Sequence, residues 1–136
     1  MRLIEGGVCA AKGFRANGVH CGIRKNKSKK DLSLIVSDVP AAAAAVYTTN
    51  LVKGAPLLVT KQNIQNGYAQ AVICNSGNAN TCNANGIEIA EQMSDLTAQT
   101  LGIDPLFNDR YRCVSCSRYQ GIGLYPCHSR DMIDVM

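Results

Sequence analysis

The segment Ala69-Gln70-Ala71-Val72-Ile73-Cys74-Asn75-Ser76-Gly77-Asn78-Ala79-Asn80 joins a predicted strand to a polar loop. Residues 69–74 are mostly apolar, which is typical of a strand buried in a sheet. Residues 75–80 contain three Asn and no large hydrophobic side chain. Asn and Gly tolerate left-handed backbone, so a tight turn before a helix is one interpretation of this loop. The other is a ligand-binding loop, because sheet edges often carry binding sites.

Length and composition predict one modest globular domain. The chain has 136 residues, of which 46% are hydrophobic, and its aromatic content is 5%. No stretch approaches the roughly 20 apolar residues that cross a bilayer, and the N-terminus lacks a signal-peptide core. We therefore expect a cytoplasmic protein with no membrane contact. The seven cysteines are an odd number, and without a secretory signal they are predicted to be reduced thiols.

Several further strands are predicted along the chain. The clearest is Leu32–Val36, which is apolar enough to be buried on both faces and is followed by a break at Ser37–Pro40. Val46–Asn50 and Ala55–Thr60 also have strand chemistry, and Pro56 is tolerated at a strand entrance. The Ala41–Ala45 run predicts an element packed closely against the sheet.

One helix is predicted after the asparagine-rich loop. Asn85 is suited to cap it, with Glu88 three residues later in a capping-box arrangement, and Gly102 is suited to end it. The apolar spacing predicts a buried face formed by Ile89, Met93, Leu96 and Thr100. Strands and a helix in this order predict a mixed α/β (α+β) domain.

Two other clusters suggest different chemistry. Cys113, Cys116, Cys127 and His128 are a candidate zinc site, although Cys127 and His128 are adjacent and fit a tetrahedral site poorly. We therefore assign no metal. The Lys25–Lys30 run is a candidate anion or nucleic-acid contact, but it has no aromatic residues and is more typical of a solvated loop. We therefore expect no nucleic-acid partner.

The pair His20-Cys21 combines a base with a nucleophile. Adjacent residues of a strand point to opposite faces, so we expect a structural role for both.

Nine short motifs, taken together and in order, resemble the bifunctional ornithine acetyltransferase/glutamate N-acetyltransferase family. The resemblance covers about residues 6–104 and corresponds to the first quarter of a usual family member. The matching motifs are Gly6-Gly7-Val8, Lys12-Gly13-Phe14, Gly18-Val19, Lys30-Asp31-Leu32, Val36-Ser37-Asp38, Ala41–Ala45, Thr48-Thr49-Asn50, Lys53-Gly54-Ala55-Pro56 and Asn75–Asn80.

The resemblance implies an acyltransferase of arginine biosynthesis with a layered α/β fold, in which mixed sheets lie between helices. Such enzymes move an acetyl group from N-acetylornithine to L-glutamate, and some use acetyl-CoA as donor; no bound cofactor is implied. The precursor cleaves itself before a Thr, and the resulting α and β chains form an αβ heterodimer that pairs to a heterotetramer. The new N-terminal Thr of the β chain is the nucleophile.

The resemblance also implies roles for particular residues. Asn75, Ser76, Gly77, Asn78 and Asn80 are candidates to line the substrate cleft. Ser117 and Gly121 are candidate remnants of the segment that forms the oxyanion hole, where the family's Thr-Gly pair is absent here.

The last part of the chain departs from the family pattern. We expect residues 1–104 to form the N-terminal part of the family domain and residues 105–136 to be a divergent tail, which a reading-frame slip would explain. No Thr of this chain matches the family nucleophile, so we expect this polypeptide to be inactive alone.

Overall fold

The computed structural model describes residue 3, residues 5–103 and, for the backbone only, residues 113–118. A 3-10 turn at Gly7–Ala10 precedes all regular elements. The strands are β1 (Phe14–Val19), β2 (Leu32–Ala42), β3 (Tyr68–Ser76) and β4 (Cys113–Arg118). The helices are α1 (Ala55–Asn63), between β2 and β3, and α2 (Gly86–Leu101), between β3 and β4.

The four strands form one mixed sheet in the order β1-β2-β3-β4. The first two pairings are antiparallel, and the β3–β4 pairing is parallel. Parallel neighbours need a crossover connection, and α2 lies in the connection between these two strands. The predicted α/β class with a mixed sheet is confirmed.

The core lies between the sheet and the end of α2. Leu32 and Leu34 of β2 and Ala71 and Ile73 of β3 form the sheet side, and they pack with the helix side formed by Ala98 and Ile103. Alternation along β2 places Ser33 on the exposed face. The prediction that Leu32–Val36 is buried on both faces is therefore wrong for Ser33.

β2 continues through the predicted break at Ser37–Pro40. Its pairing with β3 shifts register between Val36 and Ala41, and then resumes with Ala41 opposite Ala69 and Ala42 opposite Tyr68. A bulge of this kind accommodates a proline, which cannot donate to the ladder. The start of the Ala41–Ala45 run is therefore part of the sheet.

The strand predicted for Ala55–Thr60 is wrong, because these residues begin α1. Pro56 lies in the first helical turn, where its missing N–H leaves no helical bond unmade. Short apolar runs are compatible with strand or helix, and here the helix continues into the polar residues up to Asn63. The Val46–Asn50 segment is not a strand either, and the Val46 side chain is almost fully exposed.

α2 begins and ends as predicted, but its details differ. Gly102 closes the helix in the left-handed conformation with φ of 66°. Asn85 stands at the N-cap without a side-chain cap hydrogen bond, so the predicted capping box does not form. The fully buried positions are Gly86, Ala90, Ser94, Thr97 and Ala98. The predicted face of Ile89, Met93, Leu96 and Thr100 is only half-buried.

Neither described helix is both long enough and apolar enough to cross a membrane.

Candidate functional site

The end of β3 and the following turn form the centre of the candidate site, which we call the asparagine loop (residues 75–80). Asn75 and Asn78 are buried, with 6% and 7% of their surface exposed. Asn80 has a left-handed backbone with φ of 48°, a conformation in which Asn is among the better tolerated side chains. This loop is therefore a turn before α2 with buried amides, as the first sequence interpretation predicts, and the ligand-binding interpretation stays a prediction.

The three asparagine side chains bond to one another. Asn80 Nδ2 donates to Asn75 Oδ1 at 2.8 Å, and Asn78 Nδ2 donates to Asn80 Oδ1 at 2.7 Å. A longer contact of 3.5 Å joins Asn75 Nδ2 to Asn80 Oδ1. Buried polar groups need such partners, so this network fixes the shape of the loop.

The other two predicted loop residues contact the turn that follows β1. Ser76 Oγ accepts a hydrogen bond from Arg24 Nε at 3.1 Å. Gly77 has φ of 104°, and a Cβ built there would lie 2.8 Å from Arg24 Cγ and 3.2 Å from Ile23 Cγ2. Glycine is required here both by conformation and by this close approach.

Asp31 anchors that turn, and we call His20, Cys21, Arg24 and Asp31 the Asp31 cluster. The Asp31 carboxylate accepts from the backbone N–H groups of Cys21 and Arg24, both at 2.8 Å. The Cys21 thiol donates to Oδ1 at 3.3 Å, and His20 Nδ1 lies 3.0 Å from Oδ2. Since Nδ1 also faces the Lys29 carbonyl at 3.1 Å, the ring hydrogen must lie on Nδ1.

The electrostatics of Asp31 follow from these contacts. Burial disfavours its charged form, but the donating N–H groups of Arg24 and Cys21, helped by the Cys21 thiol and His20, outweigh burial and lower its pKa. The carboxylate is 2% exposed and remains ionised because it is surrounded by donors. The Asp31 carbonyl also accepts from the Ser76 N–H at 2.8 Å, which ties the cluster to the asparagine loop.

His20 and Cys21 thus have a structural role, as expected, although the strand argument does not apply to them. β1 ends at Val19, and beyond it both side chains turn toward the same carboxylate. The anchoring role of Asp31 is not predicted by the sequence pattern. The available signal was a single acidic residue placed between the Lys25–Lys30 run and a buried strand.

β4 brings a second predicted residue to the same edge of the sheet. In the parallel β3–β4 register, Ser117 is opposite Asn75 and Arg118 is opposite Ser76. The carboxyl ends of parallel strands meet at one edge, which is a common ligand position in α/β proteins. Gly121 lies outside the described residues.

The alternative sites have different outcomes. The Lys25–Lys30 run is exposed and forms part of the connection between β1 and β2, with an Asn26-capped turn, as a solvated loop would. Of the candidate zinc ligands, Cys127 and His128 lie outside the described residues. Within residues 5–103, no group of three or more His, Cys, Asp or Glu side chains is arranged to hold a metal ion.

Comparison with known proteins identifies the family. The ArgJ family model matches residues 15–115, which is more than half of the chain. The arginine biosynthesis bifunctional protein ArgJ of Symbiobacterium thermophilum is 49% identical over 107 residues, covering 77% of this chain and 27% of that protein. The ArgJ protein of Bacillus anthracis is 43% identical over 122 residues, covering 88% of this chain and 28% of that protein.

Two crystal structures resemble the fold closely. Arginine biosynthesis bifunctional protein ArgJ from Bacillus halodurans has a TM-score of 0.75 at 38% identity, over 93% of this chain and 63% of that one. Ornithine acetyltransferase from Mycobacterium tuberculosis, complexed with ornithine, has a TM-score of 0.76 at 34% identity, over 94% and 68% of the two chains. The chain spans about a quarter of the length of the curated relatives, and it belongs to the ArgJ family of bifunctional arginine biosynthesis proteins.

Proposed function

We propose that this chain is the N-terminal portion of an acetyltransferase that moves an acetyl group from N-acetylornithine to L-glutamate. Its family membership supports this activity, and so does the likeness to an ornithine acetyltransferase solved with ornithine. The observation that carries the proposal is the buried amide network of Asn75, Asn78 and Asn80 at the carboxyl edge of β3. Such a rigid polar loop at a strand end is suited to line a small-molecule cleft.

In this proposal, the asparagine loop frames the cleft and does not perform the chemistry. The three amides are largely occupied with one another, so their role is to hold the loop backbone and the Ser76–Gly77 edge in place. The parallel strand β4 places the backbone of Ser117 beside Asn75, which supports Ser117 as part of the segment near the oxyanion site.

The nucleophile is proposed to come from a second chain. A threonine hydroxyl attacks the acetyl carbonyl of N-acetylornithine, an O–C bond forms, the amide C–N bond breaks and the proton passes to the leaving ornithine amine. The glutamate amine then attacks the acetyl-enzyme ester and regenerates the hydroxyl. Because the Thr-Gly pair of the oxyanion segment is also absent here, this chain is proposed to be inactive until the rest of an ArgJ protein, including that β chain, completes an αβ unit, which pairs again to a heterotetramer.

No bound cofactor is needed, and acetyl-CoA is an alternative acetyl donor. The boundary at residue 104 stays a prediction, and the match to the family model extends to residue 115.

The proposal is tested by measuring acetyl transfer from N-acetylornithine to glutamate. We expect no turnover by the purified 136-residue chain. We expect turnover when it is co-expressed and purified with the part of the Symbiobacterium thermophilum ArgJ protein that lies beyond the aligned residues. Turnover by the chain alone, or an assembled but inactive pair, would contradict the proposal.

A further inference from the structure

An apolar groove lies beside the asparagine loop and has no role in the site described above. It has a volume of about 720 Å³ and runs between the segment Leu51–Lys53, α1 and the first turns of α2. Its exposed apolar side chains are those of Leu51, Val52, Leu58 and Ile87. Leu51 is 97% exposed and Val52 is 60% exposed. Apolar side chains grouped in this way on a protein surface usually mark an interaction site.

The charges at the groove indicate what kind of segment fits it. Glu88 and Glu91 line the α2 side, and Lys53 is the basic residue among the lining groups. The excess of acidic groups favours an occupant that carries a basic side chain among apolar ones, because opposite charges at an interface select the partner and its register.

The groove is also continuous with the asparagine loop. The Asn80 carbonyl accepts from the N–H of Ala55, the first residue of α1, at 3.0 Å. Gly54 forms an isolated antiparallel bridge with Thr81. Residues 82–85, which form one wall of the groove, follow Thr81 in the chain and lead to the start of α2. A segment bound in the groove would therefore lie directly beside the proposed acetyl-transfer cleft.

We propose that this groove binds an apolar segment, with a basic side chain in it, from the part of an ArgJ protein that this chain does not span. The aligned region is 27% and 28% of the length of two of the curated relatives, so most of their sequence lies outside it. A second copy of this chain fits less well, because a symmetric contact between two such grooves would bring Glu88 and Glu91 of both copies to one interface. The inference rests on the proposed function, since it names where the partner of that site binds.

The exposed thiol of Cys82 gives a direct probe of the groove, and the exposed thiol of Cys9 is its matched control. The 136-residue chain is alkylated with iodoacetamide alone and in complex with the co-expressed remainder of the Symbiobacterium thermophilum protein, and each site is quantified by peptide mapping. We expect alkylation of Cys82 to slow by about tenfold or more in the complex, as for a thiol buried at an interface core, while Cys9 reacts at its original rate.

Substitutions give a second test. Leu51→Asp and Val52→Asp change exposed positions, so folding, checked by circular dichroism, is retained. They are expected to weaken co-purification by about tenfold, the usual loss at an interface anchor. Val39→Asp is the control, because Val39 is 64% exposed and lies on β2 away from the groove.

The outcomes separate the inference from the function on which it rests. An assembled pair that transfers acetyl groups while Cys82 reacts as in the free chain would overturn the groove assignment and leave the function intact. Protection of Cys82 in the chain alone, rising with its concentration, would overturn it in favour of a second copy. Failure of the two polypeptides to assemble would overturn both.

Discussion

The Asp31 carboxylate accepts a hydrogen bond of 2.8 Å from the Arg24 backbone N–H, and the Arg24 side chain in turn donates to Ser76 Oγ. This relationship joins the turn after β1 to the start of the asparagine loop. A residue outside the loop therefore sets the position of the loop, and its removal should affect the loop as well as overall stability.

Asp31→Asn should destabilise the chain by about 2–3 kcal/mol, because it replaces an acceptor oxygen and leaves the part-buried N–H groups of Cys21 and Arg24 without a charged partner. Urea unfolding at neutral pH measures this. Asp38→Asn is the control, since Asp38 forms an exposed ion pair with Arg15 at 3.0 Å and pairs of that kind contribute about 0–1 kcal/mol. Equal losses in the two variants would show that Asp31 is not an anchor.

The stability of the chain should fall in acid through Asp31. Its folded pKa is lowered from the ordinary value of 3.8, so its contribution is fully present above that value and is lost as the pH falls through the lower folded pKa. The urea concentration at the unfolding midpoint should therefore decrease once the pH is lowered past about 4, the pKa range of an unfolded Asp. Asp31→Asn should show a shallower acid decline, and an identical decline would contradict the assignment.

Gly77→Ala should be more harmful than Gly22→Ala. Both glycines have positive φ, of 104° and 92°, but an added Cβ meets Arg24 only at Gly77 and finds no atom within 4 Å at Gly22. The difference in unfolding free energy should be about 1–3 kcal/mol, the usual cost of overpacking. Equal costs would mean that Arg24 moves aside freely.

Asn80→Gly tests the amide network without straining the backbone, since glycine accepts the left-handed conformation of this position. It should cost about 1–3 kcal/mol, because the buried Asn75 and Asn78 amides lose their partner. Hydrogen exchange of the Ala55 amide, which donates to the Asn80 carbonyl, should accelerate. Gln99→Ala is the matched control and should be nearly neutral, because Gln99 is an exposed residue of α2 outside the loop. Unchanged Ala55 exchange would contradict the network.

The sequence was most informative where one local rule acts alone. The β3 strand and the left-handed Gly102 at the end of α2 follow from apolar continuity and from glycine geometry. The loop at residues 75–80 was located for the same reason. Its mutual hydrogen bonds go together with the left-handed backbone of Asn80 and with the contact of the Asn80 carbonyl with the Ala55 N–H, and no local pattern encodes that contact.

The errors have a common physical origin in long-range packing. The composition of Ala55–Thr60 is compatible with a strand or a helix. Which of the two forms depends on the contacts that the segment makes in the folded chain. β2 runs through Pro40 because pairing with β3 resumes beyond a bulge. Asp31 appeared unremarkable beside a basic run, because its partners at Cys21 and Arg24 become neighbours only when the turn after β1 folds back.

We propose that the asparagine loop frames an acetyl-transfer cleft completed by a second chain. The most direct test of this proposal is the kcat/KM for acetyl transfer from N-acetylornithine to glutamate in the reconstituted complex, compared between Asn80→Gly and Gln99→Ala. We predict transfer by the unmodified complex, a loss of about tenfold or more with Asn80→Gly, as expected for a displaced cleft wall, and nearly full activity with Gln99→Ala. A complex that assembles with Asn80→Gly and transfers acetyl groups at the unmodified rate would contradict the claim.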